Sequence, residues 1–290
     1  MPKTIIRSIF SGTISTGAFE NEKPLFELCE EYDNILPDEQ LSSRQSELYA
    51  LCKGNFVRVQ RLSLEEKVKL EQEGIRLYPV VEKNKEYPSV TSITGWDKDF
   101  NMPDTELAQY GSRGTLVHKR CEHFDSEPNT WLDLKKLVVE YPEMYQDYVI
   151  MTKGNRFLNA DGYDYPAFLE KYPIKHLESE KVIYNHDLEY AGRLDKIGIP
   201  IMNKNWEKIG VREVETIFDF KTSKALDVDS FGQQASAYAK PLGITQAVII
   251  PLKNYADVKQ GFSAPVLIEV EEYFPLFKIS RIAFRKRFGI

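Results

Sequence analysis

The stretch TIFDFKTSK, residues 216–224, decides the fold around which the rest of the chain is arranged. Its apolar and β-branched residues predict a strand, in which successive side chains point to opposite faces of a sheet. Asp219 and Lys221 then share one face, and Phe218 and Phe220 share the other. A carboxylate beside an amine suits hydrolysis, because the acid can hold a cation while the amine orients a water molecule. The same pair also occurs as an ordinary ion pair on a solvated strand, so the neighbouring sequence has to decide.

Two further acids precede this stretch. In YAGRLDKIG, residues 190–198, Asp195 lies among apolar residues, where an acid is costly unless it is paired or metal-bound; the alternative is an aspartate on an edge strand. Glu180 stands before the strand sequence KVIYN, twelve residues ahead of Gly192. Glu178 competes for the same role, and the spacing to Gly192 favours Glu180. Three carboxylates at the ends of three consecutive strands, beside one lysine, are what Mg²⁺ or Mn²⁺ needs.

Two predicted helices add polar groups. GSRGTLVHKRCEHF, residues 111–124, places His118 on one helix face with small residues three and four positions apart. FGQQASAYA, residues 231–239, places Gln234 and Tyr238 four positions apart on one face. The alternatives are a packed or surface histidine and an ordinary amphipathic helix.

The remaining patterns give a fold class. Residues 130–175 read as mainly helical, and strands follow them. The other predicted helices cover residues 103–124, 229–242 and 274–288, and the predicted strands cover residues 181–185, 190–199, 214–221, 247–252 and 266–270. This order predicts an α/β or α+β fold with a central mixed sheet flanked by helices. We expect residues 1–85 to form an N-terminal extension of unknown role, and residues 86–290 to form the core with a basic C-terminal helix.

The motif order GTxxH, Glu, GRLD, DFKTSK and QxxxY resembles the PD-(D/E)XK nucleases. It is most similar to their RecB-type exonuclease branch, which includes phage exonucleases and the mitochondrial genome-maintenance exonuclease. The resemblance covers about residues 87 to 252. It implies a restriction-endonuclease-like core and a metal-dependent DNA exonuclease that acts on free ends of single-stranded DNA. The alternatives are a structure-specific endonuclease or resolvase of the same fold and a non-cleaving DNA-binding recombination module.

The resemblance also implies roles for individual residues. The catalytic set would be Glu180, Asp195, Asp219 and Lys221. The metal ligands would be His118, Glu180, Asp195, Asp219 and the carbonyl of Phe220. The residues that contact DNA would be Arg113, Lys119, Arg120, Lys224, Gln234 and Tyr238, with the tail cations Arg281, Arg285, Lys286 and Arg287 in addition.

Composition limits the cofactors and partners. The net charge of −6 argues mildly against nucleic acid, but bound cations reverse the local sign of a carboxylate cluster. No cysteine follows Cys121, which excludes the iron–sulfur cluster that some members of this branch carry, and leaves Mg²⁺ or Mn²⁺ as the expected cofactor. No apolar run is long enough to span a membrane. The expected partners are DNA and replication or recombination proteins. The start MPKTIIRSIFSG lacks the apolar stretch of a secretory signal. The expected compartment is the cytoplasm, for a bacterial or phage-encoded protein, and the alternative is the mitochondrion.

Overall fold

The chain forms two compact units, Met1–Gly74 and Ile75–Ile290. The computed structural model describes residues 4–11, 14–15, 21–22, 25–32, 68–70, 72–83, 85–98, 103–128, 130–153, 162–253 and 260–290. The boundary between the units lies at Gly74, before the one expected at residue 85.

The first unit contains two antiparallel strand pairs, and in sequence the second pair lies between the two strands of the first. Strand β1 (Thr4–Ser11) pairs with β4 (Leu25–Tyr32), and β2 (Ile14–Ser15) pairs with β3 (Asn21–Glu22) between them. All the site residues predicted from the sequence lie in the second unit.

The second unit is built on a five-stranded sheet with the order β13-β12-β11-β10-β7. Strands β11 and β12 are parallel, and the other neighbours are antiparallel, so the sheet is mixed. The strands are β7 (Ile174–Ser179), β10 (Lys196–Pro200), β11 (Thr216–Lys221), β12 (Gln246–Pro251) and β13 (Val266–Glu269). Two smaller antiparallel pairs accompany it: β5 (Leu77–Val80) with β6 (Lys85–Pro88), and β8 (Val182–Asn185) with β9 (Tyr190–Arg193).

Helices flank this sheet, which confirms the predicted α/β class with a mixed sheet. They are α1 (Val90–Gly95), α2 (Asp104–Ser126), α3 (Leu134–Glu140), α4 (Tyr145–Thr152), α5 (Tyr165–Lys171), α6 (Lys204–Lys208), α7 (Val228–Ala239) and α8 (Val270–Phe288). Within the described ranges, no helix is both long and apolar enough to cross a membrane.

The central strand β11 follows the predicted alternation of faces. Phe218 and Phe220 belong to a core cluster with residues of α2, while Lys221 contacts Gln234 of α7. Strand β12 is buried along its whole length, as expected for a strand with helices on both faces. Helix α7 connects these two parallel strands, so the fold holds α7 beside the end of β11.

Two predicted elements differ from the observed ones. The single strand expected over residues 190–199 is two strands in different sheets, β9 and β10. Strand β7 begins at Ile174, inside a region that reads as helical. The β-branched stretch after Tyr87 continues as helix α1, because the Ser89 hydroxyl accepts the Ser92 N–H at 3.0 Å and caps it.

Candidate active site

Two long strands of the second unit break at the same level, and each break carries an acid. Glu180 lies between β7 and β8, and Asp195 lies between β9 and β10. Ser179 pairs with Lys196 on one side of the break and Val182 pairs with Arg193 on the other. The register is therefore unchanged, and Glu180 lies directly opposite Asp195.

Backbone hydrogen bonds cross this break. The Glu180 N–H donates to the Asp195 carbonyl at 3.0 Å, and the Leu194 N–H donates to the Lys181 carbonyl at 3.0 Å. Glu180 has a φ of 52°, a left-handed conformation that costs energy for a residue with a side chain. The bend that breaks the strands is thus fixed by hydrogen bonds, and it holds two carboxylates together.

Helix α2 brings a histidine to these carboxylates. His118 Nδ1 lies 3.1 Å from Asp195 Oδ1, and one ligand atom from each of His118, Glu180 and Asp195 lies within 4.8 Å of the other two. The second Asp195 oxygen, Oδ2, accepts the Phe220 N–H at 2.7 Å. The Phe220 ring also meets the His118 ring edge to face, with 5.8 Å between centroids. Asp195 is therefore held by a helix on one side and by β11 on the other.

The ionisation of this cluster favours bound positive charge. Burial opposes the charged form of His118, but the charge and the hydrogen bond of Asp195 outweigh it and raise the pKa of His118. Burial also opposes ionisation of Asp195, and His118 outweighs it, so the pKa of Asp195 is lowered. Burial and then repulsion from Asp195 raise the pKa of Glu180. A cation between these groups would relieve the repulsion.

Asp219 lies beside this cluster but contacts Lys221. Its Oδ2 is 2.5 Å from Lys221 Nζ, and only 2% of its side chain is exposed. Burial raises the pKa of Asp219 to about 6, against the opposing effect of Lys221. Among the residues that the structure describes, the close group of metal-ligating atoms contains His118, Glu180 and Asp195 and does not include Asp219.

A chain of buried hydrogen bonds holds Lys221. Its Nζ donates to Gln234 Oε1 at 3.0 Å, and Gln234 Nε2 donates to the Tyr238 hydroxyl at 2.9 Å. The ring of Phe231 lies 4.8 Å from the same Nζ. Tyr238 packs on Gly192, where an added Cβ would lie 2.5 Å from Tyr238 Cε1. Gln234 and Tyr238 therefore brace the lysine from the interior.

The donor set fits a small divalent cation. Two carboxylates provide the oxygen ligands that Mg²⁺ and Mn²⁺ prefer, and the imidazole of His118 moves the preference towards Mn²⁺. The Asp219 carboxylate is buried close to the cluster, with its Oδ2 paired to Lys221 Nζ, and it places a further oxygen donor beside the three ligating side chains. The residues present are thus compatible with the expected cofactor.

The structure separates the two competing glutamates. Glu178 is exposed on β7, where Lys181 Nζ lies 2.8 Å from its carboxylate. Glu180 is the one that reaches His118 and Asp195. Arg193 Nε lies 2.8 Å from Glu180 Oε2, a contact that sequence reasoning missed although Arg193 is part of GRLD.

Two of the cations expected to bind DNA lie in the interior. Arg113 donates to the Thr222 carbonyl at 2.7 Å and is 4% exposed. Arg120 donates to the Leu132 carbonyl at 2.7 Å and is 2% exposed. Their burial corrects the expectation that these side chains contact DNA, because a phosphate cannot reach them in this arrangement.

The other expected cations differ in their accessibility. Lys224, Lys286 and Arg287 are exposed. Lys119 forms an ion pair with a neighbouring glutamate at 2.9 Å. Arg281 is buried and donates to backbone carbonyls of the turn between β8 and β9, which corrects its expected place on a basic surface. Arg285 forms an ion pair with Glu189 of that turn at 2.7 Å.

Comparisons with known proteins do not assign this chain to a family. No family model matches the chain, and no curated protein is similar to it. A solved protein called SSO0001 is 15% identical, with a TM-score of 0.25, and the match covers 64% of this chain and 86% of that chain. A similarity at this level supports no argument about fold or function.

Proposed function

We propose that this chain is a nuclease that hydrolyses phosphodiester bonds with Mg²⁺ or Mn²⁺. The observation that carries the proposal is the convergence of His118, Glu180 and Asp195 within 4.8 Å, beside the buried pair of Asp219 and Lys221. A cluster of this kind is costly for a fold unless it binds a cation. The motif order that resembles the PD-(D/E)XK nucleases supports the same activity.

The residues of the site would have different roles in hydrolysis. His118, Glu180 and Asp195 would hold the ion, with Asp219 as a further oxygen ligand. The hydrogen bond to Gln234 fixes the direction of the Lys221 side chain. Its ammonium would then hold the attacking water molecule, or an oxygen of the phosphate that is attacked, in position. A bound divalent ion would lower the pKa of the water molecule that it holds and would neutralise charge on the phosphate.

The finer part of the proposal is the substrate. We infer DNA with a free end, single-stranded by preference, and exonucleolytic cleavage, all of which follow from the resemblance. The exposed Lys224, Lys286 and Arg287 are positioned to contact phosphates, whereas Arg113, Arg120 and Arg281 are buried. Replication or recombination proteins are the further partners that this activity would have.

The test compares two glutamates that lie two residues apart. Glu180→Gln should abolish cleavage of end-labelled DNA in Mg²⁺ and Mn²⁺, and Glu178→Gln, its matched control, should keep the wild-type rate. Equal rates for the two variants, or full activity in EDTA, would contradict a metal-dependent nuclease at this site.

A second comparison decides the mode of cleavage. Linear single-stranded DNA should be degraded from its ends, and circular single-stranded DNA of the same sequence should resist. Cleavage of both forms at the same rate would assign the enzyme to the endonuclease alternative, while leaving the metal site as proposed.

A further inference from the structure

A second buried polar cluster lies outside the candidate active site. Lys196 Nζ lies 2.5 Å from Asp125 Oδ1 and 2.7 Å from the Tyr165 hydroxyl. The Tyr165 hydroxyl also lies 3.0 Å from the same Asp125 oxygen. The side chains of Lys196 and Asp125 are 1% and 4% exposed, and Tyr165 is fully buried. The three groups form a closed triangle of charge-assisted contacts in the protein interior.

Burying this cluster costs free energy of folding. Moving two opposite charges out of water costs about as much as their attraction returns, so apolar residues of the same size would stabilise the chain equally well. Asp125 also lies in the last turn of α2, where the helix dipole disfavours an anion. Its second oxygen, Oδ2, has no hydrogen-bond partner and lies 3.8 Å from His176 Nδ1. Stability alone therefore does not explain why these polar side chains are here.

The position of the cluster offers a reason. His118 and Asp125 are seven residues apart on α2, so they lie on one face and about 10 Å apart along the helix axis. Asp195 and Lys196 are consecutive at the bend of the hairpin. Two polar contacts thus join the same helix to the same strand, one at the metal-ligating cluster and one two helical turns away.

A second path leads from this cluster to the site. The Tyr165 ring meets the Phe220 ring edge to face, with 5.0 Å between centroids. The Phe220 N–H donates to Asp195 Oδ2. The apolar face of α2 is already packed in the core, and two polar contacts seven residues apart add a directional constraint on its rotation and on its distance from the strand.

We propose that Asp125, Tyr165 and Lys196 are positioning residues that lock α2 against β10, so that His118 meets Asp195. The catalytic consequence of this lock rests on the proposed function, because a fixed His118–Asp195 geometry matters to catalysis only if the cluster holds an ion. The lock itself is a property of the metal-free protein.

The test uses a double variant, Asp125→Asn with Lys196→Met, in the full chain. Removing one charge alone would leave the other buried and unpaired and could unfold the protein, whereas removing both keeps the volume and the Tyr165 hydrogen bond. The matched control is Gln246→Leu, which breaks another buried polar network: Gln246 donates to the Arg212 carbonyl at 2.8 Å and to the Thr216 hydroxyl at 2.6 Å.

The first measurement is imidazole nitrogen NMR on the metal-free protein. The chain has four histidines, so the His118 signals can be assigned with His118→Gln. In the double variant we expect the His118 signals to move to those of an imidazole without a carboxylate partner, while the protein keeps its thermal stability. Gln246→Leu should lower stability and leave the His118 signals in place.

The second measurement is Mn²⁺ binding by calorimetry, where the double variant should bind roughly tenfold to 100-fold more weakly than the wild type. Wild-type His118 signals in the double variant, or an equal change in Gln246→Leu, would overturn the lock. A wild-type protein that does not bind Mn²⁺ would overturn the proposed function, while the His118 signals would still decide the lock.

Discussion

Replacing Asp219 by asparagine should make the metal-free protein more stable at alkaline pH. Burial raises the pKa of this carboxyl to about 6 from a normal value of 3.8. The folded chain therefore binds more protons than the unfolded chain between these two values. By linkage, the contribution of Asp219 to the free energy of unfolding is highest below pH 3.8 and falls as the pH rises to about 6. Asparagine has the same shape and no charge, so the free energy of unfolding of the variant does not fall in this way as the pH rises.

The size of the effect follows from the difference of about two pKa units. Each unit corresponds to about 1.4 kcal/mol, so the variant should gain about 3 kcal/mol above pH 7 and almost nothing near pH 4. For a unit of this size, the gain corresponds to a rise in melting temperature of roughly 6 to 12 °C. Loss of the Lys221 partner reduces the gain, so this value is an upper bound.

The assay is chemical denaturation in EDTA at several pH values. Asp227→Asn is the control with the opposite sign, because its hydrogen bond with Lys98 lowers the pKa of the exposed Asp227 carboxyl. A difference between wild type and Asp219→Asn that does not change with pH, or a variant less stable than wild type at pH 8, would refute the reasoning. Addition of Mg²⁺ should stabilise the wild type more than the variant, because the variant lacks one of the oxygens proposed to hold the ion.

Three other predictions test the rest of the site. Gly192→Ala should lower the free energy of unfolding by about 1–3 kcal/mol, because its Cβ would lie 2.5 Å from Tyr238 Cε1; it should also slow cleavage by displacing the brace of Lys221, and a wild-type cleavage rate in a folded variant would exclude that brace. Asp195→Ala and Lys221→Ala should each abolish cleavage while circular dichroism shows an intact fold; a folded variant of either kind that cleaves at the wild-type rate would remove that residue from the site. Ca²⁺ should bind without supporting turnover, because its larger and looser shell positions water poorly; cleavage with Ca²⁺ as the sole divalent ion would argue against the proposed geometry.

The strand around Asp219 could be predicted because its signal is local. Alternation in TIFDFK assigns each side chain to a face, and the structure keeps Phe218 and Phe220 in the core. The break at Asp195 could not be predicted in the same way, because an apolar strand pattern runs through it from Tyr190 to Ile199. The break depends on the backbone conformation of Glu180 on the partner strand.

The roles of Arg113 and Arg120 could not be predicted from the sequence, for a different reason. Arg113 and Arg120 sit on a predicted helix near His118, a pattern that fits phosphate contacts as well as interior hydrogen bonds. Only the folded structure shows that the two guanidinium groups donate to backbone carbonyls, that of Thr222 for Arg113 and that of Leu132 for Arg120. The Lys196–Asp125 contact was missed for the same reason, since it joins residues 71 positions apart.

The unchanged register across the hairpin break explains why the two acids remain together. Like charges directly opposite on paired strands destabilise a sheet, and Glu180 opposite Asp195 is such a pair. A slip of one residue would separate the acids, but it would also turn every side chain of the strand to the other face and expose Ile197. The fold therefore cannot relieve the repulsion by sliding. It relieves part of it with His118 and Arg193, which contact Asp195 and Glu180 respectively. The repulsion that remains is what a divalent cation would relieve, so the hairpin bend gives the proposed metal binding its driving force.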